Sequence, residues 1–295
     1  MRRDSEPATA IFTGAAGNRL VADVFGEHGP AVLLLHGGGQ TRHSWRQTSQ
    51  RLVKSGLTAY ALDQRGHGDS DWIADGSYAF TDFAADATAV GDALAARAGR
   101  APIVIGASLG GIAALLAEGA AARAGRGPIF SALVLVDITP RVHADGVAKI
   151  QGFMRAHAAE GFGSIAEAAD VVAAYLPHRP RPRSHEGLKK NLRLDPDGRW
   201  RWHWDPRFLD GPRPVSSRRA ETEAALVEAA RGIAVPALLV RGTSSELVSQ
   251  EHVREFLELV PHAQYMHVAG ARHMVAGDRN DRFSAAILSF LGKLS

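Results

Sequence analysis

The sequence predicts an α/β fold, a mostly parallel sheet of about eight strands with helices on both faces. Short, nearly continuous apolar runs recur at 31–35, 58–62, 102–105, 132–136 and 236–240, each followed closely by Gly, Asp or His. Runs that are apolar throughout suit strands buried on both sides. Between and after them, 82–96, 110–124, 250–259 and 281–294 place apolar residues at three- and four-residue steps, the period of a helix. Alternation of the two patterns gives βα units on a parallel sheet.

The elements follow in order. Residues 10–13 and 19–25, separated by a turn containing Ala15, Ala16, Gly17 and Asn18, read as an antiparallel hairpin leading into the sheet. The sheet is thus mixed. Past residue 137 the strand rhythm stops until 236, and alanine-rich helical stretches give way to a Pro/Arg-rich segment from His178 to Arg183. Residues 141–225 are read as an inserted, mainly helical cap, with 1–140 and 226–295 forming the core. Within the cap, Trp200, Trp202 and Trp204 alternate with Arg199, Arg201 and His203, so an extended segment turns three tryptophans to one side.

Composition sets the outer limits. A chain of 295 residues with 45% hydrophobic and 22% charged residues can bury one large core with an inserted subdomain. The formal charge of +3 is spread along the chain, which gives nucleic-acid binding little support. With no cysteine there is no disulfide framework, thiolate nucleophile or cysteine metal site. Met1-Arg2-Arg3 is followed by polar residues and no apolar signal core, and no run of about 18 apolar residues occurs anywhere. The expectation is a cytoplasmic protein with no membrane partner.

Chemistry enters with Gly106-Ala107-Ser108-Leu109-Gly110, a G-x-S-x-G string directly after an apolar strand and directly before a helical pattern. A serine on so sharp a turn needs side-chain-free residues two before and two after it. His36-Gly37-Gly38-Gly39 also follows a buried strand, and its glycines let backbone N–H groups approach a ligand. The backbone N–H groups of Gly38 and Leu109 are the expected oxyanion hole. His36 reads as a brace for that loop, and His36 and Gly37 are expected to border the substrate pocket.

These strings, with Asp63 to Ser70 and Gly270-Ala271-Arg272-His273-Met274, resemble in order the four signposts of the α/β-hydrolase superfamily. The resemblance spans most of the core and implies the α/β-hydrolase fold. It also implies that the loop from Asp63 to Ser70 is structural and that His273 is the catalytic base, taking the Ser108 proton and returning it to the leaving group. In that family the partner carboxylate usually stands three residues after a glycine past strand seven. Here that position is Ser245, with Glu246 one residue on. Some relatives, certain haloalkane dehalogenases and a group of small bacterial esterases, carry the acid after strand six, where this chain has Asp137 in Val136-Asp137-Ile138-Thr139-Pro140. Asp137 is favoured and Glu246 is the alternative.

A serine nucleophile implies hydrolysis of a small-molecule carboxylic ester or thioester through an acyl-enzyme, with no cofactor or metal required. A C–C bond hydrolase of aromatic-degradation diketones uses the same residues, and a silent hydrolase-fold ligand-binding protein is a further alternative. Trp202 and Trp204 are expected either to wall the substrate pocket or to staple the cap to the core. The basic run Arg179, Arg181, Arg183, Lys189, Lys190 and Arg193 is either a solvated face or a feature that favours an anionic substrate.

Overall fold

In each core strand, alternate side chains face opposite helical layers and both sets are apolar. The computed structural model describes residues 6–294 apart from Pro180, Pro182, Arg183, Arg218 and Arg279. One sheet is built from β1 (Ala8–Thr13), β2 (Arg19–Phe25), β3 (Ala31–Leu35), β4 (Thr58–Leu62), β5 (Ile103–Ala107), β6 (Ala132–Val136), β7 (Ala237–Gly242) and β8 (Gln264–Val268). Their order is β1-β2-β4-β3-β5-β6-β7-β8. β1 pairs antiparallel with β2, and β2 antiparallel with β4; the other five pairings are parallel.

The longer helices are α1 (Arg46–Lys54), α2 (Phe80–Ala98), α3 (Leu109–Arg123), α4 (Ala144–Arg155), α5 (Ile165–Tyr175), α6 (Arg219–Arg231), α7 (Gln250–Leu259) and α8 (Asn280–Leu291). Leu33 and Leu35 of β3, with Leu133, Leu135 and Leu239, join one core with α2, α3, α6 and α7. Val32 and Leu34, with Val134, Val136 and Val240, join a second core with α1 and α8 on the other face. A one-residue period switch between the two cores is the sheet's pleat written in apolar residues. Among the described residues no helix is long and apolar enough to cross a membrane.

β5 runs two residues beyond the expected end at 105 and delivers the chain directly to Ser108. α8 stops at Leu291, short of the expected 294, where Gly292 follows.

Between β6 and β7 lie α4, α5 and a two-stranded hairpin, in which Leu192 pairs with Trp202 and Leu194 with Trp200. Residue 225, drawn as a boundary from composition, falls inside α6. Its alanine-rich sequence resembles the helices before it, so composition carries no break there. The helix packs on α3: a Cβ added to Gly119 would stand 2.3 Å from Ala229 Cβ. The hairpin end is tied to the loop after β4. Gly68 N–H donates to the His203 carbonyl at 2.8 Å, Asp205 N–H to the Gly66 carbonyl at 2.8 Å, and Tyr78 Oη to the buried Asp205 Oδ2 at 2.6 Å.

Candidate active site

Ser108 occupies the turn from β5 to α3 with φ 46° and ψ −112°. A left-handed φ on a residue with a side chain costs on the order of 1–3 kcal/mol, and neighbours must hold it. Ser108 N–H donates to the Val136 carbonyl at 3.1 Å, and the Ser108 carbonyl accepts from Ile112 N–H at 2.9 Å. The flanking glycines are sterically required. A Cβ on Gly106 would stand 2.4 Å from the Gly110 carbonyl oxygen, and one on Gly110 would stand 2.3 Å from that of Leu35. The serine hydroxyl faces a cavity and has no hydrogen-bond partner among the described residues.

The glycine loop after β3 leaves one backbone donor over. Gly37 N–H donates to Gln40 Oε1 at 3.1 Å, and Gly39 N–H to His67 Nε2 at 3.1 Å. Gly38 N–H has no partner among the described residues, nor has the N–H of Leu109, which opens α3. His36 lies beneath this loop, fully buried. Its Nδ1 donates to the Gly37 carbonyl at 2.8 Å and its Nε2 accepts from Gln64 N–H at 3.1 Å. Burial lowers the His36 pKa to about 4 and that of His67 to about 3, the neighbouring His36 adding to the effect on His67. Both rings are therefore neutral and can accept the N–H groups aimed at them. His36 does not line the cavity, whereas Gly37 and Gly38 do.

Asp137 follows β6 at φ 52°, and its side chain is fully buried. Its Oδ1 accepts from Gly242 N–H at 3.1 Å; its Oδ2 accepts from Ser245 Oγ at 2.6 Å and from His273 Nδ1 at 2.8 Å. Because a carboxylate only accepts, Nδ1 carries the proton and Nε2 is the basic atom of the imidazole. Glu246 points elsewhere: its Oε1 accepts from Lys149 Nζ at 2.8 Å and from Arg272 Nη1 at 3.2 Å. The hydrogen bond from Lys149 is the largest influence lowering its pKa.

Ser108, His273, Gly37, Gly38 and Leu109 share the border of one cavity of about 590 Å³. Trp202 and Trp204 both border it, and Trp204 also bridges to His67, so wall and staple coincide in that residue. Trp200 is not among the residues bordering the cavity, and its backbone pairs with that of Phe162. Among the described residues of the basic run, Arg179 alone borders the cavity. Arg181 pairs with Asp170, Arg193 sits over the Trp72 ring, and Arg183 lies outside the described residues. Sequence reasoning missed three neighbours of the site. Ser245 was visible only as a departure from an acidic position, while Met154 and Phe208, which press on the glycine loop, lie in the inserted segment and belong to no motif.

Residues 32–286 match the model of the alpha/beta hydrolase family. The chain is 30% identical over 260 residues to Esterase Rv0045c of Mycobacterium tuberculosis, covering 86% of this chain and 80% of that one. It is also 30% identical over 257 residues to 2-(acetamidomethylene)succinate hydrolase of Mesorhizobium japonicum, covering 84% and 82%. A crystal structure of E-2-(acetamidomethylene)succinate hydrolase superposes with TM-score 0.81 at 25% identity over 97% of this chain and 99% of the other. A structure of the M. tuberculosis esterase gives TM-score 0.72 at 27% identity over 98% and 93%. With a family match across most of its length and relatives that overlap it over more than four-fifths of its length, the chain belongs to the alpha/beta hydrolase family.

Proposed function

We propose that this hydrolase is a serine esterase or thioesterase, with Ser108 as nucleophile, His273 as general base and acid, and Asp137 as the carboxylate behind the imidazole. The single observation that carries the reading is the 2.8 Å hydrogen bond between His273 Nδ1 and buried Asp137 Oδ2 beside the same cavity that Ser108 faces. That bond leaves Nε2 to take the Ser108 proton as Oγ adds to the substrate carbonyl carbon. The developing oxyanion meets the spare N–H groups of Gly38 and Leu109. The C–O or C–S bond then breaks, His273 gives its proton to the leaving oxygen or sulfur, and water releases the acid from Ser108 by the same steps in reverse roles.

The named activity of the M. tuberculosis relative, an esterase, supports ester hydrolysis over C–C cleavage. Expected results are covalent labelling of Ser108 by a fluorophosphonate and turnover of p-nitrophenyl esters of graded chain length, both absent in Ser108→Ala. A folded protein that neither labels nor cleaves these esters, thioesters or vinylogous diketones would be a silent ligand binder. Turnover of the diketones alone would make it a C–C hydrolase.

A further inference from the structure

Two carboxamides border the cavity beside the glycine loop, and each is held by its oxygen. Gly37 to Gln40 form a turn in which Gln40 N–H donates to the Gly37 carbonyl at 3.1 Å. The Gln40 side chain folds back on that turn, its Oε1 accepting from Gly37 N–H at 3.1 Å. An amide nitrogen cannot accept from a backbone N–H, so the oxygen end is fixed and Nε2 is the spare end. Nε2 has no partner among the described residues. One residue on, the Thr41 hydroxyl donates to Asn191 Oδ1 at 3.1 Å, a closer acceptor for its single proton than the Lys190 carbonyl at 3.5 Å. Asn191 Nδ2 is likewise without a partner among the described residues. Gln40, Asn191 and Ser108 all border the cavity. The carboxamide carbon of Gln40 and the Cβ of Ser108 each lie 3.6 Å from the point a Gly37 Cβ would occupy, which makes this amide a near neighbour of the nucleophile.

Two anchored donors without an acceptor call for one on the ligand, and because both are uncharged a neutral oxygen completes them. At the tetrahedral stage the departing atom lies towards His273, which protonates it, and the oxyanion lies towards Gly38 and Leu109. The acyl chain is the remaining substituent of that carbon. We propose that the acyl group of the substrate carries a keto or ether oxygen a few bonds from the scissile carbonyl, bound by Gln40 Nε2 with Asn191 Nδ2 as the second donor. The proposal rests on the serine-hydrolase reading above. The same oxygen contacts that spare the two nitrogens also hold them in place before substrate arrives, so little side-chain freedom is lost on binding.

Length-matched esters test it. The p-nitrophenyl esters of 4-oxopentanoic and 3-methoxypropanoic acid are compared with that of pentanoic acid, and the methoxyacetate with the butanoate. Each kcat/KM is divided by the ester's own rate with hydroxide, so that intrinsic reactivity cancels. At least one oxygen-bearing ester is expected to exceed its match by about fivefold or more. Gln40→Glu and Asn191→Asp keep the oxygen that anchors each side chain and replace the donor. The ratio should fall toward one in at least one of them, whatever the new carboxylate does to the rate common to both esters. Ratios near one in every pair, or a ratio that both variants leave unchanged, overturn the proposal. A calorimetric titration of Ser108→Ala with ethyl 4-oxopentanoate and ethyl pentanoate reads the same preference in Kd. If wild type and Ser108→Ala turn over substrate equally, the serine mechanism fails, while the titration still decides whether the two amides select an acceptor.

Discussion

On the proposed triad, Asp137 and Ser245 divide between them the work that the resemblance assigns to one acidic side chain past strand seven. Three donors converge on the Asp137 carboxylate, and one is the hydroxyl at the position where the acid ordinarily stands. On the proposed triad, Asp137→Asn is expected to lower kcat by about three to four orders of magnitude, since the amide favours the wrong imidazole tautomer. Glu246→Gln should stay within about threefold of wild type on neutral esters in the same assay. A large loss in the glutamine variant with a small one in the asparagine variant would reverse the assignment. Ser245→Ala removes one of the donors that fix the carboxylate and should cost about tenfold in kcat with KM little changed, a loss that Ser245→Thr restores in part. The sequence made Asp137 a candidate through its resemblance to relatives that carry the acid after strand six, and the buried carboxylate bonded to His273 supports that reading. The sequence made Ser245 legible only as a missing acid, because a serine in a turn carries no sign of what its hydroxyl will meet 108 residues away in sequence.

The glycine loop, its two buried histidines and the elbow behave as one element. His36 and His67 are held neutral by burial, with pKa values lowered to about 4 and about 3 from the ordinary imidazole value of about 6.5. Below pH 6.5 the unfolded chain takes up protons at these rings while the folded chain does not. Their contribution to stability is therefore complete above that pH and is lost as pH falls toward 4 and then 3. Melting temperatures measured between pH 7.5 and 4.5 should fall, and His67→Gln, which keeps an acceptor for Gly39 N–H without titrating, should flatten the slope. An unchanged slope would mean these rings are not the source. At the elbow, Gly110→Ala forces a Cβ into the Leu35 carbonyl, and a loss of more than about 3 kcal/mol by denaturant titration is expected. Strand and helix patterns made the elbow and the loop readable in advance. The choice of Gly38 as donor, however, becomes physical only when the partners of Gly37 and Gly39 are known.

At the scale of the molecule, the sheet was legible because both its faces are buried and each strand repeats the same apolar signal. The segment over the cavity was not, since its helices follow no shared motif and α6 runs through the boundary that composition suggested. That segment is fastened to the loop after β4 through Asp205, which is buried and accepts from Tyr78 and Arg207. Asp205→Ala leaves the Tyr78 hydroxyl without its acceptor, so a stability loss of about 1–3 kcal/mol is expected, together with a KM increase larger than any fall in kcat. Equal stability would show the tether to be redundant. On the proposed triad, carrying the acid just after β6 also has a consequence for how such a protein can diverge. The loop after β7 presents no reacting atom: beyond the hydroxyl of Ser245 and the N–H of Gly242 it owes nothing to the chemical step. On that reading, residues such as Glu246 are open to variation, and the border of the cavity that they form can change by substitution with turnover left intact.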